Sequence, residues 1–342
     1  MPADQEAKLA VVLSGGGAKG AYEAGALQVI AQQVQQIHIL TGASIGAINA
    51  AAFAVEYQQS RDLVKAAAYV QQAWVEIGPL FRLSVWYVLG QMITSRFTRG
   101  SFRHIPAIAA NQRIIETIHA YLPDIRISEL TAMDLRINAT NLNTGQTETF
   151  HRGNDASLRE AVLASSCIPL LFPSRLYKEA YYIDGGMFNN TPLRDAIVAG
   201  AENIIVVELK PTDTQCYLET IEDSRGYESA WHVGARLMEL VLDTIMYEDV
   251  KHARQLNHII AVIRRLEALG DDSPALQELK NAIRYEKNGR VKKQINICEV
   301  APTDRLDPPG TLGFHNRKAI LDIMKKGEDD ARSVLAKSTW FA

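Results

Sequence analysis

The chain has 342 residues, 47% of them hydrophobic, enough to bury a large core in one big domain or two ordinary ones. With 36 basic against 39 acidic residues the formal charge is -3, so no long-range field favours a polyanion, and nucleic acid is not expected as a partner. Three widely separated cysteines, Cys167, Cys216 and Cys298, show no metal-ligand spacing and read as reduced core thiols.

The N-terminal MPADQEAK is acidic, and the apolar run after it is cut short by glycines. Neither a signal peptide nor a membrane span is therefore expected, and the reading is a soluble cytoplasmic protein, peripheral at membranes at most. LAVVLS reads as a buried strand, Ala21 to Gln36 as a helix, IHILT as a second strand and Ile45 to Val55 as an apolar helix. This is the opening of a parallel βαβ fold. A helical region follows from Ser60 to about Ile77. After it comes the aromatic segment Leu80 to Phe97, read as core, with an interfacial surface as the alternative. DLRINATNLNTGQTETF gives two strands about an Asn-Thr-Gly turn, and SLREAVLASSC a helix stopped at Ile168-Pro169. YYIDGG is a short strand into a turn, LRDAIVAG a helix ending at Gly200, and NIIVVEL another buried strand. Ser224 to Gln255 has a helical pattern, HIIAVIRR is a strand candidate, Leu266 to Lys293 reads as a surface excursion broken by Gly270, Pro274 and Gly289, and Phe314 to Ala336 closes the chain as a helix.

Gly15, Gly17 and Gly20 satisfy G-x-G-x-x-G between a predicted strand and a predicted helix, the setting of a dinucleotide fingerprint. That reading needs an acidic group, or an arginine, after the second strand. Between Glu23 and Glu56 there is no Asp, Glu, Lys or Arg, so it fails. A P-loop fails as well, because Ala21 and Tyr22 stand where Lys and Ser or Thr are required. What remains is a row of bare N-H groups at a helix start, an anion cradle.

Where the acid should be stands Gly42-Ala43-Ser44-Ile45-Gly46, a G-x-S-x-G between strand and helix, the sharp turn that lifts a serine out of a sheet as a nucleophile. Adjacent parallel strands bring their C-terminal ends together, so the glycine loop would face the oxygen of a carbonyl attacked by Ser44. The base is either a histidine, with His151 and His232 as candidates, or Asp184 in YYIDGG, where Gly185 and Gly186 allow a tight turn. A partly desolvated Asp184 beside an apolar cleft is a competent base, and a two-residue dyad is chemically sufficient.

SGGGAKG, GASIG, LASSCIPLLFPS and YIDGGMFNNTPLRDAIVAGA, in this order, resemble the patatin-like phospholipases, lipid acyl hydrolases with a Ser/Asp dyad. The resemblance implies a three-layer α/β/α sandwich with a mostly parallel central sheet. Residues 8–210 would form the catalytic core, and 211–342 an extension of helices and strands packed on the same domain. It implies Ser44 as nucleophile, Asp184 as general base and the backbone of Gly15, Gly16 and Gly17 as oxyanion hole. Lys19 falls at the family's basic position in that loop, and Gly20, Gly42, Gly46, Gly185 and Gly186 support the turns. Gly186 stands where many members have alanine. The implied partner is a lipid or phospholipid substrate met in transient contact with a membrane surface, with no metal and no organic cofactor. An acyltransferase on the same dyad and a non-catalytic lipid-binding protein are the alternatives.

Overall fold

Five consecutive buried residues, Leu9–Leu13, form the central strand β1 of a sheet that has eight strands among the described residues. The computed structural model describes residues 7–77, 112–169, 172–211, 233, 250–251, 253–270, 273–282, 294–306 and 317–338. Parallel to β1 run β2 (Ile39–Ala43) on one side and β7 (Asn203–Val207) on the other, flanked in turn by β3 (Asp134–Asn141) and β8 (Asn296–Val300). The antiparallel strands β4 (Gln146–Phe150), β5 (Arg175–Tyr177) and β6 (Ala180–Ile183) complete the sheet at the β3 end. A mostly parallel sheet needs cover on both faces, which is why β1 and the 204–207 run of β7 are apolar throughout.

Alternation along β1 assigns the two faces. Leu9, Val11 and Leu13 enter the larger core with α1 (Gly20–Gln33), α2 (Ile45–Ser60), α3 (Leu63–Ile77) and α5 (Leu158–Ser165), while α4 (Gln112–Tyr121) lies at its rim. Ala10 and Val12 face the opposite core, covered by α6 (Leu193–Val198) together with Val250 and Ala253. The result is the three-layer α/β/α sandwich that the sequence led us to expect.

The two-strand reading of 134–150 corresponds to β3 and β4, joined through Gly145 at φ 68°. Two readings near the C-terminus are corrected. HIIAVIRR is not a strand but part of α7, a helix over 253–268. Its β-branched residues mimic a strand, yet Ile260 and Ile263 recur at helical spacing and pack with Leu276. Leu266 to Lys293 is not a bare excursion, because Pro274–Ala282 forms α8. Gly270, in the left-handed region at φ 81°, closes α7, and Pro274 is the first residue of α8, its start capped by Ser273 Oγ accepting from Leu276 N-H at 3.3 Å. The breakers are helix ends.

The last helix, α9 (Arg317–Leu335), lies against α1. The contact is main chain to main chain: a Cβ on Gly25 would collide with the Met324 carbonyl, and one on Gly327 with the Tyr22 carbonyl. Only glycine allows that approach. The aromatic segment Leu80 to Phe97 and nearly all of residues 224–249 lie outside the described residues. Among the described residues, no helix is long and apolar enough to cross a membrane.

Candidate active site

The C-terminal ends of β1 and β2 lie side by side, with Leu13 opposite Gly42, so the glycine loop and the GASIG turn become neighbours. Gly46 tucks beneath β1: a Cβ there would lie 2.5 Å from the Leu13 carbonyl oxygen and 2.8 Å from that of Ser14. Gly42 in turn faces the Gly46 main chain. This crowding forces the turn to fold sharply. Ser44 takes φ 53° and ψ -121°, a conformation that costs a non-glycine residue about 1–3 kcal/mol and that its surroundings must therefore impose. Its carbonyl starts α2 by accepting from Ala47 N-H at 3.0 Å and Ile48 N-H at 3.3 Å.

Asp184 arrives from the other direction. One edge of β3 is taken by β4, which pairs with 137–141. The other edge carries β2 as far as Asn138, and from Thr140 it carries β6, antiparallel, with Thr140 opposite Ile183. β2 and β6 therefore run head to head along one edge of β3, and the residues that follow them are Ser44 and Asp184. Ser44 Oγ donates to Asp184 Oδ2 at 2.6 Å, across 140 residues of sequence.

Both side chains are buried, Ser44 at 7% and Asp184 at 2% exposure. Burial pushes the Asp184 carboxyl up from an ordinary 3.8 to about 7, against the opposing pull of the Ser44 hydroxyl and the Gly186 N-H. Gly186 N-H donates to Asp184 Oδ1 at 2.8 Å, Thr140 Oγ1 donates to the Asp184 carbonyl at 3.0 Å, and Gly185 packs against Asn138. A carboxylate close to half-ionised at neutral pH, with a serine hydroxyl on one oxygen, is poised to take a proton.

The glycine loop abuts this pair. A Cβ on Gly15 would be 3.0 Å from Ser44 Cβ. Gly15 N-H is already occupied, however: it donates to the Asn190 carbonyl at 3.0 Å, and Asn190 Nδ2 returns a bond to the Gly15 carbonyl at 3.1 Å. Gly17 sits at φ 60°, and Gly16 and Gly17 precede the first intrahelical donors, so their N-H groups lack a helical partner. Lys19 is buried, and Gly20 packs against Ile45 and Trp74 while its carbonyl accepts from Asn49 Nδ2 at 3.0 Å. Asn190 therefore knits the loop to the aspartate turn, a role that no local sequence signal announces.

Among the described histidines, His38, His119, His151 and His258, none bonds to Ser44 or Asp184. His151 Nδ1 instead accepts from Gly153 N-H at 3.1 Å, and burial lowers its pKa first of all. His232 lies outside the described residues.

The profile of the family described as "Patatin-like phospholipase" matches residues 11–197, which spans both strand-end turns. The chain is 29% identical over 322 residues to the mouse patatin-like phospholipase domain-containing protein 7, covering 92% of this chain and 21% of that protein. It is 26% identical over 271 residues to the mouse patatin-like phospholipase domain-containing protein 6, covering 78% and 18%. To the lysophospholipase NTE1 of Saccharomyces cerevisiae it is 23% identical over 222 residues, covering 64% and 12%. The chain thus spans about a fifth or less of the length of these curated relatives. A profile match over more than half of the residues places this chain in the patatin-like phospholipase family.

Proposed function

We propose that the protein is a lipid acyl hydrolase of the phospholipase A or lysophospholipase type, working through a Ser44 acyl-enzyme with Asp184 as general base. The observation that carries this reading is the buried 2.6 Å bond from Ser44 Oγ to a carboxylate raised to about 7. Family membership supports the lipid ester as substrate class, and the name of the yeast relative supports a phospholipid with one acyl chain among the candidates. We assign the chemistry to residues 8–210, with the remainder adding β8 and α9 to the same sandwich, and a transient contact with a lipid surface follows from the substrate.

As Ser44 Oγ attacks the ester carbonyl carbon, its proton passes to Asp184 Oδ2. The carbonyl π electrons move to oxygen, and that oxyanion is met by the N-H groups of Gly16 and Gly17, which have no helical partner; Gly15 N-H serves the loop through Asn190 instead. Collapse of the tetrahedral intermediate breaks the bond to the alcohol oxygen, which leaves with the proton from Asp184. Water then gives its proton to the same carboxylate and attacks the acyl-enzyme, releasing fatty acid and restoring Ser44. Purified protein incubated with phospholipids, lysophospholipids and neutral glycerides should release fatty acid from at least one class. No release from any of them refutes the reading.

A further inference from the structure

The end of α5 touches both members of the dyad. Ser165 Oγ, fully buried, accepts the N-H of Ser44 at 2.9 Å, across 121 residues of sequence. Two residues on, the carbonyl of Cys167 accepts the N-H of Asp184 at 2.9 Å. Between them the Ser166 hydroxyl turns back on its own helix, donating to the Val162 carbonyl at 2.7 Å, as helical serines commonly do. Cys167 Sγ donates to the Leu163 carbonyl at 3.0 Å, which ties down the carbonyl end of the segment. Two adjacent serines in one helical turn thus have different tasks.

Resting on the dyad reading above, we propose that two groups at the end of α5 and just beyond it, Ser165 Oγ and the Cys167 carbonyl, set the spacing of Ser44 and Asp184, with Ser165 as a positioning residue for the nucleophile. Ser44 precedes α2, so its N-H has no helical acceptor, and it is buried, where an unpaired N-H costs about 1–3 kcal/mol. The Ser165 hydroxyl satisfies that group and holds the main chain at φ 53°. Without it, Ser44 is free to relax toward a commoner backbone conformation and carry Oγ away from Asp184. A displacement of about 1 Å in such a constellation costs about a hundredfold in rate. The same bond takes the Ser44 N-H out of the oxyanion hole and leaves that task to the glycine loop.

The test compares Ser165→Ala, Ser165→Thr and Ser166→Ala on a soluble acyl ester, with melting temperature and the rate of fluorophosphonate labelling at Ser44 as further readouts. Ser165→Ala should lower kcat and the labelling rate by tenfold or more at unchanged KM. Ser165→Thr, which keeps the oxygen, should recover kcat to within a few-fold, and Ser166→Ala should lower the melting temperature without lowering kcat. If Ser165→Ala does not fold, Ser165→Cys replaces it, since a thiol of similar size is a weak acceptor and should show the same loss. Parent-level kcat in whichever of these two folds overturns the proposal, as does a folded Ser165→Thr that is as impaired as Ser165→Ala. A parent protein that neither turns over any ester nor labels at Ser44 refutes the dyad itself, and the positioning role falls with it; an active parent with an indifferent Ser165 refutes the positioning role alone.

Discussion

The Ser44 hydroxyl, 2.6 Å from Asp184, pulls the pKa of its carboxyl down against the burial that lifts it to about 7. The base form of Asp184 therefore fills as pH rises through neutrality, and kcat/KM should climb across pH 6 to 8 with a midpoint near 7. A free imidazole titrates at about 6.5, so the pH profile by itself does not separate this carboxylate from a histidine base. Substitution does. Asp184→Asn should cost nearly as much activity as Ser44→Ala, the two losses should not add, and no single His→Ala change should lower kcat more than about tenfold in a folded protein. A soluble histidine variant as inactive as Ser44→Ala would overturn the dyad.

The same burial makes Asp184 a liability for the fold. Its pKa in the folded protein lies above the ordinary 3.8, so stability is fullest below that pH and is lost as pH rises toward about 7. Such a rise is worth on the order of 4 kcal/mol when the carboxylate is ionised. Asp184→Asn should therefore raise the melting temperature at pH 8 and leave it nearly unchanged at pH 4. Equal shifts at both values would show that the carboxylate carries no burial penalty.

Removing the nucleophile gives the most direct check. Ser44→Ala should abolish ester hydrolysis by several orders of magnitude while the circular dichroism spectrum and melting curve stay close to the parent. A fluorophosphonate probe should label the parent at Ser44 and leave the variant unlabelled. Label retained in Ser44→Ala would point to another serine.

The loop variants should be unequal. In Gly16→Ala the added Cβ meets Leu209 Cδ1 at 2.6 Å, the movable end of a side chain, whereas Gly17→Ala places alanine at φ 60°. Both displace the proposed oxyanion donors, and a fall in kcat of about a hundredfold is expected for Gly17→Ala, with a smaller one for Gly16→Ala. Full turnover in both would reduce the loop to a strand-helix junction.

Beneath that loop, Glu23 is fully buried, accepting from Asn49 Nδ2 at 2.8 Å and bonded to the Ser14 main chain, while Asn49 Oδ1 accepts from Trp74 Nε1 at 2.9 Å. Burial raises its carboxyl well above the ordinary 4.5, so its contribution to stability declines as pH rises above that value. Glu23→Gln, uncharged at every pH, should gain stability relative to the parent between pH 5 and pH 9 in urea titrations. Glu23→Ala should lose about 2–4 kcal/mol at pH 5, through a cavity and one unpaired Asn49 N-H, and less relative to the parent at pH 9. A glutamine variant as weak as the alanine one would mean that the charge is needed.

Sequence by itself determined the parts whose cause is local. Gly42 and Gly46 on either side of Ser44 announce a sharp strand-to-helix turn because a close main-chain approach admits no Cβ, and the fully apolar β1 announces a sheet covered on both faces. It offered Asp184 as a base from its strand-end turn beside two glycines, and resemblance to a family then favoured it over a histidine. Local pattern also misled, since the β-branched residues of 258–265 suit a strand and only their packing against Leu276 selects a helix. Tertiary structure alone decided that Ser44 and Asp184 meet, because that depends on β2 and β6 sharing one edge of β3, a matter of register between segments 140 residues apart. It alone withdrew Gly15 N-H to Asn190, set Ser165 on the nucleophile's amide and buried Glu23 under the loop. Hydrogen bonds between distant segments leave no periodicity in the chain, so these residues carried no signal until the sheet brought them together.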